Sequence, residues 1–330
     1  MAKKIAFYDT KPYDRVYFDA LNAQFGFDLE YLDIQLNART AVLAAGMDGA
    51  VAFVNDNVDA AAVDALCRHS IGVLALRCAG YNNVDLAAAA GRLKVLHVPD
   101  YSPYAIAEHA MALLLTLVRR THKAYNRTRD FNFSLNGLTG FDLHGKSVGI
   151  IGTGKIGGVF ANICLGFGMN VRAYDPYPSR TDIPYCSLDE LCESSDILSL
   201  HCPLTPETQH LLSADRFARM KKGVFLVNTS RGALIDADAL LNAIQAEQVG
   251  GAALDVYEEE SSFFYQDLSD EIIRDEILRS LIAMPNVLVT SHQAFLTREA
   301  LQQIAQTTLE NLQAFFDGRE LRNEVWASAH

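Results

Sequence analysis

The chain has 330 residues, beyond the roughly 100 to 200 of a typical single domain, so its length favours two domains with separate cores. Half the residues are hydrophobic and 21 % are charged, the composition of a globular protein rather than of a disordered chain or a fibre. With 28 Lys and Arg against 40 Asp and Glu the net charge is −12, which repels a phosphate backbone and argues against general nucleic-acid binding.

Short apolar, β-rich runs at 4–9, 28–33, 49–54, 73–77 and 94–98 alternate with segments such as 14–24 and 59–67, the pattern of βαβ units that build a parallel sheet. The N-terminus has Lys3 and Lys4 but turns polar at Asp9-Thr10-Lys11, which does not read as a signal peptide. One helical stretch is predicted over 103–130, starting at Pro103 and containing no further Pro or Gly. Its middle, Ala110 to Val118, is apolar all round, which predicts burial on every side at a domain junction or a subunit interface. Those nine residues fall far short of the ~20 that cross a bilayer, so no membrane span is expected. Arg119, Arg120, Lys123, Arg127 and Arg129 in its second half read as a solvated face. After a Gly-containing loop, 137–145, strands recur near 147–151, 170–174, 196–200, 223–228, 251–255 and 287–290, so a second parallel sheet follows the first. A last helical stretch, 297–317, closes the chain and is free to return to the first lobe. Cys67, Cys78, Cys164, Cys186, Cys192 and Cys202 form no CxxC pair and no Cys/His cluster, which suits reduced thiols in a cytoplasmic protein and gives no reason to expect zinc.

Strand 147–151 runs directly into Gly152-Thr-Gly-Lys-Ile-Gly157 and then into a helical segment, the context in which a GxGxxG fingerprint acquires meaning. Gly152 permits a tight turn, Gly154 lets the backbone approach a pyrophosphate, and Gly157 lets the helix pack close to the strand, with the diphosphate at the positive helix N-terminus. Asp175 ends the next strand, where a carboxylate accepts hydrogen bonds from ribose hydroxyls and repels a 2′-phosphate, favouring NAD over NADP. In the first lobe strand 4–9 is followed by Asp-Thr-Lys-Pro, a turn without glycines, so only the second lobe is expected to bind a dinucleotide.

Ligands of doubly wound sheets lie beyond the carboxyl ends of the strands. There the second lobe gathers Arg231 after strand 223–228, the acidic run VYEEE after 251–255, and His292 after 287–290. Hydride transfer to a 2-oxo acid needs these three types: a guanidinium fork for the carboxylate, a histidine to protonate the ketone oxygen, and a carboxylate to orient that imidazole and favour its charged form.

The stretches LRCAGYNNVDL (76–86), VPDYSPYAIAEHA (98–110), GLTGFDLHGK (137–146), HCPLTPET (201–208), NTSRGALID (228–236), LDVYEEE (254–260) and SHQAFLT (291–297) carry a resemblance to the D-isomer-specific 2-hydroxyacid dehydrogenases over essentially the whole chain. Within that family the chain is most similar to the fermentative D-lactate dehydrogenases. The resemblance implies Glu260 as the histidine's partner, with Glu258 and Glu259 as solvated neighbours, Arg231 on the substrate carboxylate, and His292 in proton transfer. It adds the backbone amides of Ala79 and Gly80 to the carboxylate site. It also implies that Tyr101 and Phe295, together with Phe53, wall the pocket around the substrate side chain. Asp100 stands where a small residue is expected. For the cofactor it adds Lys155 and Ile156, then Cys202, Pro203 and Thr208, with Thr229, Ser230 and Asp255 on the nicotinamide side.

The expectation is an α/β protein of two doubly wound, Rossmann-like parallel-sheet domains with a cleft between them. Residues 1–101 and 297–330 would form the substrate domain and 102–296 the NAD-binding domain. The resemblance further implies a cytoplasmic homodimer or homotetramer, pairing through the cofactor domain, that reduces pyruvate to D-lactate with NADH. Two alternatives stand beside it: a sibling acting on hydroxypyruvate, glyoxylate or a branched 2-oxo acid, and a non-catalytic NAD-sensing binding protein.

Overall fold

The structure, a computed structural model, describes residues 2–326. It divides into two compact units, one made of the residues up to Ser102 with those from Leu296 on, the other of Pro103–Phe295.

In the first unit β1 (Lys4–Phe7), α1 (Pro12–Asn22), β2 (Asp28–Tyr31), β3 (Gly49–Ala52), α2 (Ala60–Arg68), β4 (Val73–Leu76), α3 (Leu86–Ala89) and β5 (Lys94–Leu96) follow one another. The strands form one parallel sheet in the order β2-β1-β3-β4-β5. β3 and β4 are buried at every position, as parallel strands covered on both faces must be. Local chemistry fixes the helix starts: Pro12 opens α1, and the Asp14 carboxylate accepts from the Lys11 amide at 2.8 Å. Asp59 caps α2 by accepting from the Ala62 amide at 2.8 Å.

The second unit begins with a difference from expectation. Its first helical stretch is two helices, α4 (Pro103–Arg119) and α5 (Thr121–Arg129), broken at Arg120, whose φ is 51°. The break is held from outside the helix: the Arg120 guanidinium donates to the Gly137 carbonyl, and a Cβ at Gly140 would lie 2.3 Å from the Val118 carbonyl oxygen. Lys123 and Arg127 are also engaged locally, with the Pro285 carbonyl and with the Asn136 carbonyl at 2.7 Å, while Arg119 and Arg129 are exposed, so the face is only partly solvated. Nor is the middle of α4 buried all round within the chain, since Ala112 is exposed and Leu115 half-buried.

β6 (Ser147–Ile151), α6 (Lys155–Gly166), β7 (Asn170–Tyr174), α7 (Leu188–Ser194), β8 (Ile197–Leu200), α8 (Ala214–Arg219), β9 (Val224–Asn228), α9 (Ala237–Gln245), β10 (Val249–Leu254), α10 (Glu276–Ala283) and β11 (Val287–Val289) complete the second unit. Its parallel sheet has the order β7-β6-β8-β9-β10-β11. Both sheets thus share one winding, in which the chain reverses direction between the first and third strands, and that switch point is where open α/β sheets hold ligands. α11 (Arg298–Phe316) belongs to the first unit, where Ala305, Leu309 and Leu312 pack into the core of Ile5, Phe7, Val51 and Val73.

Candidate active site

At the β6/β8 switch point the chain leaves β6 through Gly152, whose φ is 91°, and enters α6 with Gly154 as its N-cap. A Cβ at Gly157 would fall 2.0 Å from the Gly152 carbonyl oxygen, and one at Gly152 would fall 2.7 Å from that of His201, so the turn closes only with glycine at both positions. At Gly154 an added Cβ would meet no atom within 4 Å, and no side chain caps the helix there. The first amides of α6 therefore face outward with the positive end of the helix dipole behind them, a fit for a dinucleotide's phosphates. Asp175 lies directly beside the turn: its Oδ2 accepts from the Thr153 amide at 2.7 Å and the Thr153 hydroxyl at 2.9 Å, and its Oδ1 from the Tyr177 amide at 2.8 Å. Partial burial works to raise the Asp175 carboxyl, but the Thr153 and Tyr177 hydrogen bonds overcome it and hold the group below its usual range.

Three neighbouring strands, β9, β10 and β11, deliver the remaining groups. His292 follows β11 and its Nδ1 lies 2.7 Å from Glu260 Oε1, with both side chains 16 % exposed. The Tyr257 amide donates to the other Glu260 oxygen at 3.0 Å and sets the carboxylate's orientation. With Nδ1 engaged, Nε2 is the nitrogen left for proton exchange. His292 itself is left-handed, with φ 51°, a conformation that costs a non-glycine residue about 1–3 kcal/mol and persists only where the surroundings impose it. Here its amide donates to the Asp255 carbonyl at 2.7 Å and its carbonyl accepts from the Tyr265 hydroxyl at 2.7 Å. Arg231 follows β9, half-buried, with Nη1 donating to the Ser230 carbonyl at 2.7 Å and no ion-pair partner among the described residues.

Residues 111–294 match the family model described as D-isomer specific 2-hydroxyacid dehydrogenase, NAD binding domain. The chain belongs to the D-isomer specific 2-hydroxyacid dehydrogenases. It is 50 % identical to the D-lactate dehydrogenase of Escherichia coli K12, over 98 % of this chain and 99 % of that protein. An apo structure of the E. coli enzyme superposes with a TM-score of 0.89, covering 98 % of this chain and 99 % of the other. The structure reported for the pyruvate reductase of Chlamydomonas reinhardtii, 43 % identical, gives 0.92 over 98 % of each chain.

In this dehydrogenase the other expected residues are placed unevenly. Lys155 and Ile156 form the first turn of α6. Cys202 and Pro203 follow β8, and burial pushes the Cys202 thiol up to about 11, so it stays neutral. The Thr208 hydroxyl donates to the Pro203 carbonyl at 2.8 Å and accepts from the Thr205 amide at 2.7 Å, stitching its own loop. Ser230 donates to the Leu200 carbonyl at 3.0 Å, which ties β9 to β8, whereas the buried Thr229 hydroxyl has no hydrogen-bond partner among the described residues. An orphaned hydroxyl at this strand end is consistent with a partner brought by the cofactor. Asp255 departs from expectation. It is 0 % exposed, and its oxygens accept from the Thr290 hydroxyl at 2.5 Å and the Gln293 and Ala294 amides at 2.9 and 2.8 Å, so it braces the His292 loop rather than lining an open wall. Burial would raise its carboxyl, but those bonds, with His109 foremost, hold it below the usual range. Glu258 is also corrected: it is not merely solvated but lies 2.6 Å from His210.

In the first unit the loop after β4 carries Ala79 and Gly80, half-buried, with His97 Nδ1 2.8 Å from the Ala79 carbonyl oxygen. Tyr101 is half-buried and Phe53 buried, the Arg77 guanidinium lying 3.9 Å over the Phe53 ring. Phe295, in the second unit, is buried. The sequence reading gave no role to Thr153, Tyr185, Tyr265 or His109. Tyr185 hydrogen-bonds the Thr153 hydroxyl at 2.8 Å behind Asp175, Tyr265 stacks on His292 at 6.3 Å between centroids, and His109 Nε2 lies 3.3 Å from Asp255. The motif holding His109, AIAEHA, was itself the only signal for it. Among the described residues no His, Cys, Asp or Glu cluster forms a metal site, no cysteine forms a disulfide, and no helix is long and apolar enough to cross a membrane.

Proposed function

We propose that the protein is an NAD-dependent D-lactate dehydrogenase that reduces pyruvate. The observation that carries this reading is the 2.7 Å His292–Glu260 pair at the carboxyl edge of a sheet whose glycine turn suits a dinucleotide. The names of the E. coli and Chlamydomonas relatives supply the substrate class. When bound, the cofactor supplies a hydride to the oxo carbon. The chain does the rest: Arg231 grips the substrate carboxylate in two bonds. His292 gives a proton to the carbonyl oxygen, and Glu260 holds the ring by Nδ1 and balances its charge. Gly152, Gly154, Lys155, Ile156 and Gly157 hold the diphosphate, Asp175 the adenine ribose, and Thr229 the nicotinamide side, with Phe295 bounding the substrate methyl group.

Residues 1–101 with 297–330 serve as the substrate domain and 102–296 as the NAD domain, a division supported by the two compact units. The protein works in the cytoplasm as a homodimer or a pair of such dimers. Supporting the oligomer are the exposed Tyr104 and Ala112 of α4 with the exposed Phe131, Phe133 and Leu135 after α5, apolar surface of the kind that marks interfaces.

Steady-state kinetics over a panel of 2-oxo acids with NADH tests the reading. Pyruvate is expected to give the highest kcat/KM, and a branched or hydroxylated acid ahead by tenfold would sink it. The product is expected to be D-lactate. NADH should outperform NADPH, with Asp175→Ser narrowing the gap, because the carboxylate repels a 2′-phosphate.

A further inference from the structure

Beneath His292 lies a second histidine on a different element. His109 stands on α4, 19 % exposed, with Nε2 3.3 Å from Asp255 Oδ1 and 3.4 Å from the Thr290 hydroxyl. Asp255 is the post around which residues 290–294 are wound: its carboxylate takes the Thr290 hydroxyl and the Gln293 and Ala294 amides, and its carbonyl takes the His292 amide. Three donors to that carboxylate belong to the loop itself, and among the described residues His109, 3.3 Å from it and hydrogen-bonded to the Thr290 hydroxyl, is the side chain that reaches it from another element. A fully buried carboxylate depends on each of its donors, because water cannot replace a lost one. The strained backbone of His292 in turn depends on the loop being held at both ends.

We infer that His109 is a positioning residue: as the Nε2–H tautomer it ties the Thr290 hydroxyl and the Asp255 carboxylate beside it to α4 and so fixes the loop that presents the His292 imidazole. The inference rests on the reading of His292 as the proton donor. It deepens that reading by placing part of the proton donor's geometry on a helix that contributes nothing to the chemistry itself.

The test compares His109→Leu and His109→Met, which fill the space without a donor, with His109→Gln, which keeps an N–H at similar reach. Amide exchange of peptides covering 290–295 is measured by mass spectrometry on the full-length protein without cofactor or substrate. The donor-free variants should exchange the Gln293 and Ala294 amides at least tenfold faster, and His109→Gln should stay within threefold of wild type. In turnover the donor-free variants should lose 10- to 100-fold in kcat, with KM for the oxo acid and Kd for NADH within threefold, and His109→Gln should recover most of the loss. Unchanged exchange in both donor-free variants would overturn the inference. So would His109→Gln behaving like them, or a loss that falls on KM instead of kcat. A wild type that turns over no 2-oxo acid would sink the proposed activity, while the exchange result, obtained without ligands, still decides whether His109 holds the loop.

Discussion

Arg231→Lys keeps a positive charge at the end of β9 but loses the planar fork that grips a carboxylate with two parallel bonds. A lost charge-assisted bond costs about 1.5–3 kcal/mol, so kcat/KM for pyruvate should fall roughly 10- to 100-fold. Near-normal initial rates from that variant would remove Arg231 from the substrate site. Glu260→Gln separates orientation from charge. The amide still meets Nδ1, now 2.7 Å from the carboxylate, but places no negative charge beside the ring, so kcat for oxo-acid reduction should fall at least tenfold with KM within threefold. A kcat within twofold of wild type would make Glu260 a purely steric support. His210 offers a pH effect on stability instead of rate. Its hydrogen bond to Glu258 raises it above the ordinary histidine range. A raised folded-state value means that the pair stabilises fully below about pH 6.5 and loses its effect as pH climbs through that raised value. The Tm gap between wild type and His210→Gln should therefore be wider at pH 6 than at pH 9, and equal gaps would show that the pair contributes nothing. Residues at strand ends, such as Arg231 and His292, were legible in the sequence because a parallel sheet brings the carboxyl ends of its strands to one edge. Those acting through a distant partner were not: His109 sits in a helix whose composition speaks only of apolar packing, and its partner Asp255 joins it only when α4 lies on β10.

Two glycines of one turn make opposite predictions for the element that contains them. Gly154→Ala adds a methyl group where no atom lies within 4 Å, so the fold should keep its Tm while NADH binding, read by fluorescence titration, weakens at least tenfold. Gly157→Ala drives a methyl group to 2.0 Å from the Gly152 carbonyl oxygen, so β6 and α6 must separate and Tm should fall, with overpacking costing about 1–3 kcal/mol. If the two variants behave alike in both measurements, the division of labour within the turn is wrong. The strands were legible because parallel strands covered on both faces read as short continuous apolar runs, which β3 and β4 are. The break between α4 and α5 was not. Arg120 carries no breaker signal, and what bends the chain there is the backbone of Gly140 pressed against Val118 and a guanidinium bond to Gly137.

At the scale of the whole molecule, the exposed side of α4, where Tyr104 and Ala112 flank Glu108, offers a surface for a second chain. Ala112→Glu places a charge on the exposed side of α4 without disturbing its buried residues, so the fold should survive while light scattering shifts toward the monomer. An unaltered oligomer would move the interface elsewhere. The two sheets also repeat one winding, and the sequence alone indicated that only the second accepts a dinucleotide, from the absence of glycines after β1. The geometry adds a reason of a different kind. At the start of α1 the chain has already spent its own anion: Asp14 accepts from the Lys11 amide, and the Lys11 ammonium is neutralised 2.8 Å away by Asp9. The start of α1 thus carries its own acid at the amide before the helix and Pro12 in place of a first donor, where α6 leaves its first amides open, so a chain with two similar windings presents one cofactor address instead of two.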